Sequence, residues 1–290
     1  MTVGLLTTNY NTYELSTKCI ENCLRFADDT IDKFVVVDDC SNEKFDVEFD
    51  NVTLIRNVEN KGLVKSLNVG LAALDTDLVI LFDSDAWPLE KYIERTKAYF
   101  RDNPKVGIAA YEIENAEGQP TAVFEPEPDA MSVVLGQKLH KYYQSKFNKN
   151  PKLITVYTCA MVIRKEVLQE IGGFDENYDW LELDHDICMR AIRKGWHIGV
   201  MPIKAFHKGS GTPQLVSKRL IRFYKNRVML LKKFNKYPLG PLLNMIIIGR
   251  LSIEYVFINV LGRFKYSEEV RKDKAYSRSK LISLFVNGTI

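Results

Sequence analysis

Short apolar runs alternate with segments of helical periodicity through the first half of this chain, and few folds accept that rhythm. "VGLLTT", "KFVVVDD", "VTLIRN" and "DLVILFD" read as strands, and "ELSTKCIENCLRFA" and "GLVKSLNVGLAAL" between them as helices. Strand, helix, strand in that order builds βαβ units, whose crossover helices join parallel strands. The pattern predicts an α/β protein with a Rossmann-like, mostly parallel central sheet flanked by helices. Ligands of such sheets bind beyond the carboxyl ends of the strands. "TTNYN", "DDCS" and "DSDAWP", each of which finishes an apolar run, are therefore expected to converge on one site.

A second block follows the polar stretch "FNKNPK". "LITVYTCAMVIRKEVLQEIGGFDE" reads as strand and then helix, closed by Gly172 and Gly173, and "YDWLELDHDICMRAIRKGW" reads as an amphipathic helix opening on acidic residues. Carboxylates are favoured at that end by the helix dipole, so Asp184 and Asp186 also suit a plain N-terminal role. Residues 1 to 216 hold 24 Lys and Arg against 33 Asp and Glu, a balance of −9, whereas residues 217 to 290 hold 16 against 4, a balance of +12. A boundary is expected at 215/216, with a basic helical extension beyond it. Leu220, Phe223, Tyr224, Val228, Leu231 and Phe234 form an apolar seam among its cations, a pattern that suits an anionic membrane or the parent domain. "LLNMIIIGRLSIEYVFINVLG" is long enough to span a bilayer, but Arg250 and Glu254 near its middle each cost about 2.5 to 3.5 kcal/mol to insert. It reads as a helix lying in the interface or packed on the body.

The five cysteines form no CxxC pair and read as buried thiols in a reducing compartment. Met1 leads straight into a strand-like run without the pattern of a secretory signal. The expected location is the cytoplasm, including the cytoplasmic face of its membrane.

"LFDSDAWP" ends an apolar run with two carboxylates, Asp83 and Asp85, separated by one serine. Like charges this close are either spread into solvent at a turn or neutralised by a cation. A strand-end D-x-D supplies oxygen ligands to magnesium or manganese, with the phosphates of a diphosphate completing the shell. His207, in "AFHKGSGT", follows another apolar run and could reach the same ion from a loop. The chain lacks the GxxxxGK[ST] phosphate loop, a GxGxxG after its first strand and the GxSxG elbow, which removes support for ordinary kinases, Rossmann dehydrogenases and α/β-hydrolases. Transfer of a group from a nucleotide diphosphate suits what remains.

Taken in order, "LTTNYN", "VVVDDCSN", "NKGLVKSLNVG", "LFDSDAWP", "CAMVIRKEVLQEIGGFDENY", "LELDHDICMRAIRKGW" and "FHKGSG" resemble the family 2 glycosyltransferases of GT-A fold, especially their rhamnosyltransferase-like and cell-envelope members. The resemblance runs from about Val3 to Gly211 and implies roles residue by residue. Thr8, Tyr10, Asp38 and Asp39 fall where the family holds nucleobase and ribose, with Tyr10 available for stacking. Lys61 and Asn68 match the segment beside the nucleotide, with Leu67 where an arginine is common. Asp83 would face the ribose or a metal-bound water, and Asp85 and His207 would bind Mn2+ or Mg2+. "LELDHDICMR" aligns Asp184 with the catalytic carboxylate and Asp186 with a structural one, while Leu183 stands at the usual glutamate and Glu182 is offset by one. Trp87 and Trp180 flank the acidic segments and suit either a sugar face or the core.

These readings imply an inverting, metal-dependent transferase that moves a sugar from a nucleotide donor, UDP or dTDP, to a glycan or lipid-linked hydroxyl in polysaccharide biosynthesis. A sugar-1-phosphate nucleotidyltransferase would open with a Gly-rich, Arg-containing loop, which "TTNYNTYE" is not. A non-catalytic nucleotide-sugar or glycan-binding module is the alternative from another class. The +12 tail suits an anionic membrane and would equally bind nucleic acid.

Overall fold

"VGLLTT", "KFVVVDD" and "DLVILFD" form strands whose side chains are buried on both faces, as a sheet covered by helices requires, whereas "VTLIRN" forms a largely uncovered strand at the sheet edge. In a computed structural model of the chain, residues 1–45, 49–147, 151, 153–209 and 216–290 are described. In chain order the first elements are β1 (Val3–Asn9), α1 (Tyr13–Arg25), β2 (Lys33–Asp38), β3 (Val52–Arg56), α2 (Leu63–Ala72), β4 (Leu78–Phe82), β5 (Ala86–Pro88), α3 (Ile93–Asp102) and β6 (Val106–Glu114). Next come β7 (Phe124–Pro126), α4 (Met131–Val134), α5 (Gln137–Phe147), β8 (Ile154–Val156), β9 (Ala160–Arg164), α6 (Lys165–Ile171), α7 (Leu183–Arg193) and β10 (His197–His207). Three long helices follow: α8 (Val216–Lys233), α9 (Gly240–Val260) and α10 (Glu268–Val286).

Eight strands form one sheet in the order β3-β2-β1-β4-β9-β6-β10-β5. Only β9 and the short edge strand β5 run against the other strands, so the mostly parallel sheet expected from the sequence is present. Its core joins Val3, Leu5, Phe34, Val36, Leu78 and Ile80 to Cys19, Ile20 and Cys23 of α1 and to Phe82, Tyr92 and Tyr111. Close packing of α2 on β1 depends on Gly70, where a Cβ would come within 2.1 Å of the buried Leu6 Cδ1.

The segment read as one strand from Leu153 to Arg164 is two. Residues 154–156 pair with β7 in a separate two-stranded sheet, and the chain breaks at 157–159 before β9 enters the main sheet between β4 and β6. A continuous apolar run does not record that interruption, because both halves are buried.

Met1–Glu127 with Lys152–Gly211 forms one compact unit, and Pro128–Pro151 with Thr212–Ile290 a second. The division expected at 215/216 falls at the end of a segment outside the described residues, as does the close of "FHKGSG" at 210–211. It also missed that α4 and α5, an excursion from the middle of the sequence, belong with the C-terminal helices. Within the second unit α9 packs on α10 and α4.

Candidate active site

The three strand ends do converge. β4 lies in the middle of the sheet, and after it the chain turns through Asp83, Ser84 and Asp85, closed by Ala86 N–H donating to Asp83 C=O at 2.9 Å. It re-enters the sheet at the far edge as β5, antiparallel to β10 with His207 opposite Ala86. That register sets the imidazole beside the D-x-D turn: Lys208 N–H donates to Asp85 C=O at 3.0 Å, and His207 Nε2 lies 3.4 Å from Asp85 Oδ1. Asp83 N–H is held by Cys159 C=O at 3.1 Å, just before β9.

One ligating atom each from Asp83, Asp85 and His207 lies within 4.8 Å of the others, and all three side chains are partly buried. Burial pushes the Asp83 carboxyl up to about 6, with Asp85 adding to the rise and His207 opposing it. For His207 burial favours the neutral ring, but the hydrogen bonds to Asp85 and Cys159 and the charge of Asp83 outweigh it and push the imidazole up to about 11. A histidine nitrogen ligates a metal only as the neutral ring, so a cation bound here would take the place of that proton. Two carboxylates and one imidazole fit a divalent ion of manganese type, with room in its shell for phosphate oxygens.

The loops after β1 and β2 are tied by a polar network that the sequence only partly disclosed. Its hub is the buried Asn9. Asn9 Nδ2 donates to Asp38 Oδ1 at 2.7 Å and Ser41 Oγ at 3.0 Å, and its Oδ1 accepts from Ser16 Oγ at 2.7 Å and Thr12 Oγ1 at 3.0 Å. Thr12 Oγ1 also shares a 3.1 Å hydrogen bond with Ser84 Oγ, which links the loop after β1 to the D-x-D turn. Asp38 is wholly buried, accepts Ser41 Oγ at 2.5 Å and pairs with Arg56 at 2.8 Å. Its carboxylate binds the ends of β1, β2 and β3 together.

Asp39, the next residue, accepts Asn57 Nδ2, Lys61 N–H and Gly62 N–H, each at 2.8 Å, and so shapes the loop that opens α2. Asn68 turns toward α6, accepting Phe174 N–H at 2.8 Å and donating to Phe174 C=O at 2.9 Å. Of the residues matched to a nucleotide, Tyr10 is half exposed, Thr8 is partly buried and the Lys61 side chain is exposed.

On the other side of the site, Asp184 lies in the first turn of α7, its Oδ1 accepting His185 N–H at 2.9 Å. Its charge acts on Cys159 and on Tyr157, and Cys159 also feels Asp83 and His207. Asp186 is fully buried and pairs with Arg190 at 2.7 Å. Arg190 in turn donates to the carbonyls of Ile171 at 2.8 Å and Gly173 at 2.9 Å, fastening α7 to the end of α6. Glu182, the residue before α7, holds a left-handed backbone at φ 76°.

Beside α7 the two-stranded sheet of β7 and β8 carries side chains that sequence reading passed over. Tyr157 Oη donates to Glu125 Oε1 at 2.9 Å, Glu125 Oε2 lies 3.6 Å from His185 Nε2, and His185 Nδ1 shares a 2.6 Å hydrogen bond with Thr155 Oγ1. Their only signal was "LDHD", where a histidine separates two carboxylates. Trp87 is buried, stacks on Phe206 with centroids 4.4 Å apart, and has Lys18 Nζ over its ring at 4.9 Å. Trp180 is partly buried ahead of α7, its N–H donating to Asp179 Oδ1 at 2.8 Å.

Comparison with known proteins agrees with this architecture. Residues 5–172 match the model of "Glycosyl transferase family 2". The chain belongs to that family. A pre-mycofactocin glycosyltransferase of Mycobacterium tuberculosis is 29% identical over 208 residues, covering 63% of this chain and 42% of the relative. An uncharacterized glycosyltransferase of Haemophilus influenzae is 28% identical over 171 residues, 55% of this chain and 52% of its own. The chain thus spans about half or less of the curated relatives it matches. Among solved structures, the mannosyltransferase PcManGT from Pyrobaculum calidifontis, in complex with GDP-Man and Mn2+, superposes with a TM-score of 0.58 at 15% identity, covering 99% of this chain and 86% of its own. S. aureus TarS 1-349 in complex with UDP-GlcNAc gives 0.55 at 16%, covering 99% and 92%. These likenesses place the fold in the GT-A class.

Proposed function

We propose that this chain is an inverting, metal-dependent glycosyltransferase that moves a sugar from a nucleotide diphosphate to a hydroxyl of a glycan or lipid-linked acceptor. The observation that carries the reading is the meeting of Asp83, Asp85 and His207 at one strand end. Asp85 and His207 would hold Mn2+ or Mg2+, with Asp83 beside them. When bound, such an ion neutralises charge on the departing diphosphate. Tyr10 is exposed enough to stack on a nucleobase, and the backbone shaped by Asp39 lines the loop beside it. Asp184 takes the proton of the acceptor hydroxyl as its oxygen attacks C1, the C1–O bond to the diphosphate breaks with its electron pair, and the anomeric centre inverts. Tyr157 and Glu125, next to Asp184, are suited to hydrogen-bond acceptor hydroxyls. The first unit carries this chemistry, and the basic helical unit serves another purpose.

The donor base is a matter for assay, since the structural neighbours named above hold GDP-Man and UDP-GlcNAc. Nucleotide release with Mn2+ is measured against UDP-, dTDP- and GDP-sugars for the native chain, Asp85→Ala and Asp184→Asn. Release by the native chain with at least one donor is expected. Asp85→Ala should lose it together with metal-dependent nucleotide binding, while Asp184→Asn should lose release but keep binding. Metal-dependent binding without release of any donor, native and variant alike, would replace this reading with a binding module.

A further inference from the structure

α9 is built with its charges inward. Arg250 and Glu254, its only charged residues, pair with each other on the side that packs into the second unit. Arg250 also donates to Tyr224 Oη at 2.5 Å and Val133 C=O at 3.3 Å, and Glu254 accepts from Arg278 at 3.0 Å. Ile247 and Leu251 are buried on the same side. Positions 242, 245, 246, 249, 253, 256, 257 and 260 follow the three- and four-residue spacing of one helical stripe, and every one of them is apolar or glycine. Within that stripe Met245 is 70% exposed, Ile253 60%, Val256 58% and Phe257 57%.

We propose that this stripe lies in the surface of an anionic lipid bilayer, with α9 parallel to the membrane plane. The charge around it selects that occupant. Lys232 and Lys233 precede the helix, and Arg263 and Lys265 follow it on either side of Phe264, which is 79% exposed. Residues 217 to 290 carry 16 Lys and Arg against 4 Asp and Glu. An apolar stripe bracketed by exposed cations gains both from burial at the headgroup boundary and from attraction to anionic lipids. A second copy of the chain would bring a second basic unit against the first. α9 is also long and apolar enough to cross a membrane. Spanning would separate its inner face from α10 and α4 and carry Arg250 and Glu254 into hydrocarbon without Arg278, which lying in the interface avoids. The inference is independent of the transferase reading and goes beyond it.

The test is flotation of the full chain at low salt with vesicles of phosphatidylcholine mixed with phosphatidylglycerol, and with phosphatidylcholine alone. Co-flotation with the anionic vesicles is expected, and Ile253→Asp combined with Phe257→Asp should lower the bound fraction about tenfold. Val256→Trp keeps the face apolar, and its new indole should show fluorescence quenching by lipids brominated in their acyl chains, beyond that of the native tryptophans. If the aspartate variant does not melt cooperatively, the quenching result decides. Absence of flotation, flotation that the aspartates leave unchanged, or no added quenching in bound Val256→Trp protein would each overturn the proposal. A dimer in light scattering that the aspartates split, without flotation of the native chain, would assign the stripe to a contact between copies instead.

Discussion

Replacing Asp38 by Asn tests whether that carboxylate builds the site or reads the ligand. Asp38 Oδ1 accepts Asn9 Nδ2 at 2.7 Å and Ser41 Oγ at 2.5 Å, contacts an amide oxygen can keep. Its Oδ2 meets Arg56 at 2.8 Å and Ser41 N–H at 3.3 Å, and there an amide nitrogen would set donor against donor. A charge-assisted hydrogen bond is worth about 1.5 to 3 kcal/mol, and an unsatisfied buried donor costs about 1 to 3. The Arg56 side chain is 34% exposed and recovers part of its loss from water. The expected destabilisation is about 3 kcal/mol, a fall in Tm of roughly 6 to 12 °C. Arg56→Met should be non-additive with it, with a coupling of about 1 to 2 kcal/mol in a double-mutant cycle. Differential scanning fluorimetry gives Tm, and nucleotide titration of the folded variant gives Kd. A Tm within about 2 °C of native, joined to a large loss of nucleotide affinity, would show that Asp38 contacts the ligand and would refute the assignment.

Three further outcomes follow from the same geometry. Cys40 sits at φ 59°, where a side chain costs about 1 to 2 kcal/mol, so Cys40→Gly should raise stability in urea unfolding by up to about 1 kcal/mol after the added flexibility of the unfolded chain is deducted. Gly70→Ala should destabilise by about 1 to 2 kcal/mol despite its better helix propensity, because the new methyl meets the buried Leu6, and a gain in Tm would refute that packing. Burial raises the Asp39 carboxyl, but hydrogen bonds from Lys61 N–H, Asn57, Ser66 and Gly62 N–H outweigh it and hold the pKa below its ordinary value. The resulting stability is present above the unfolded pKa of about 3.9 and is lost as pH falls through the lower folded value. Tm of the native chain should therefore fall more steeply below about pH 4 than that of Asp39→Asn, and parallel curves would refute the linkage.

The sheet and its flanking helices were legible because period-two and period-3.6 apolar patterns are local, and so was the meeting of strand ends, which parallel topology imposes. The D-x-D of Asp83 and Asp85 could be singled out because two carboxylates ending an apolar run are anomalous in themselves. Side-chain direction was not legible. "TTNYN" offered Thr8 and Tyr10, while the hub proved to be Asn9 between them, since which of two neighbours points inward depends on the pleat of β1 against β2. Asp38 and Asp39 are adjacent in sequence and spent on different partners, Arg56 of β3 and the loop before α2.

By itself, then, the sequence determined the layered α/β class, the acidic strand end and the separation of charge between body and tail, all properties of local composition and period. The sequence offered His207 as a partner of Asp85, and tertiary structure supplied the contact, because the antiparallel register of β5 on β10 joins residues far apart in the chain. Tertiary structure alone decided that 128–151 belongs with the C-terminal helices, and that Arg250 and Glu254 face inward and leave the apolar side of α9 outside. Those outcomes depend on which surfaces are in contact, and contact between distant segments leaves no trace in the periodicity of either.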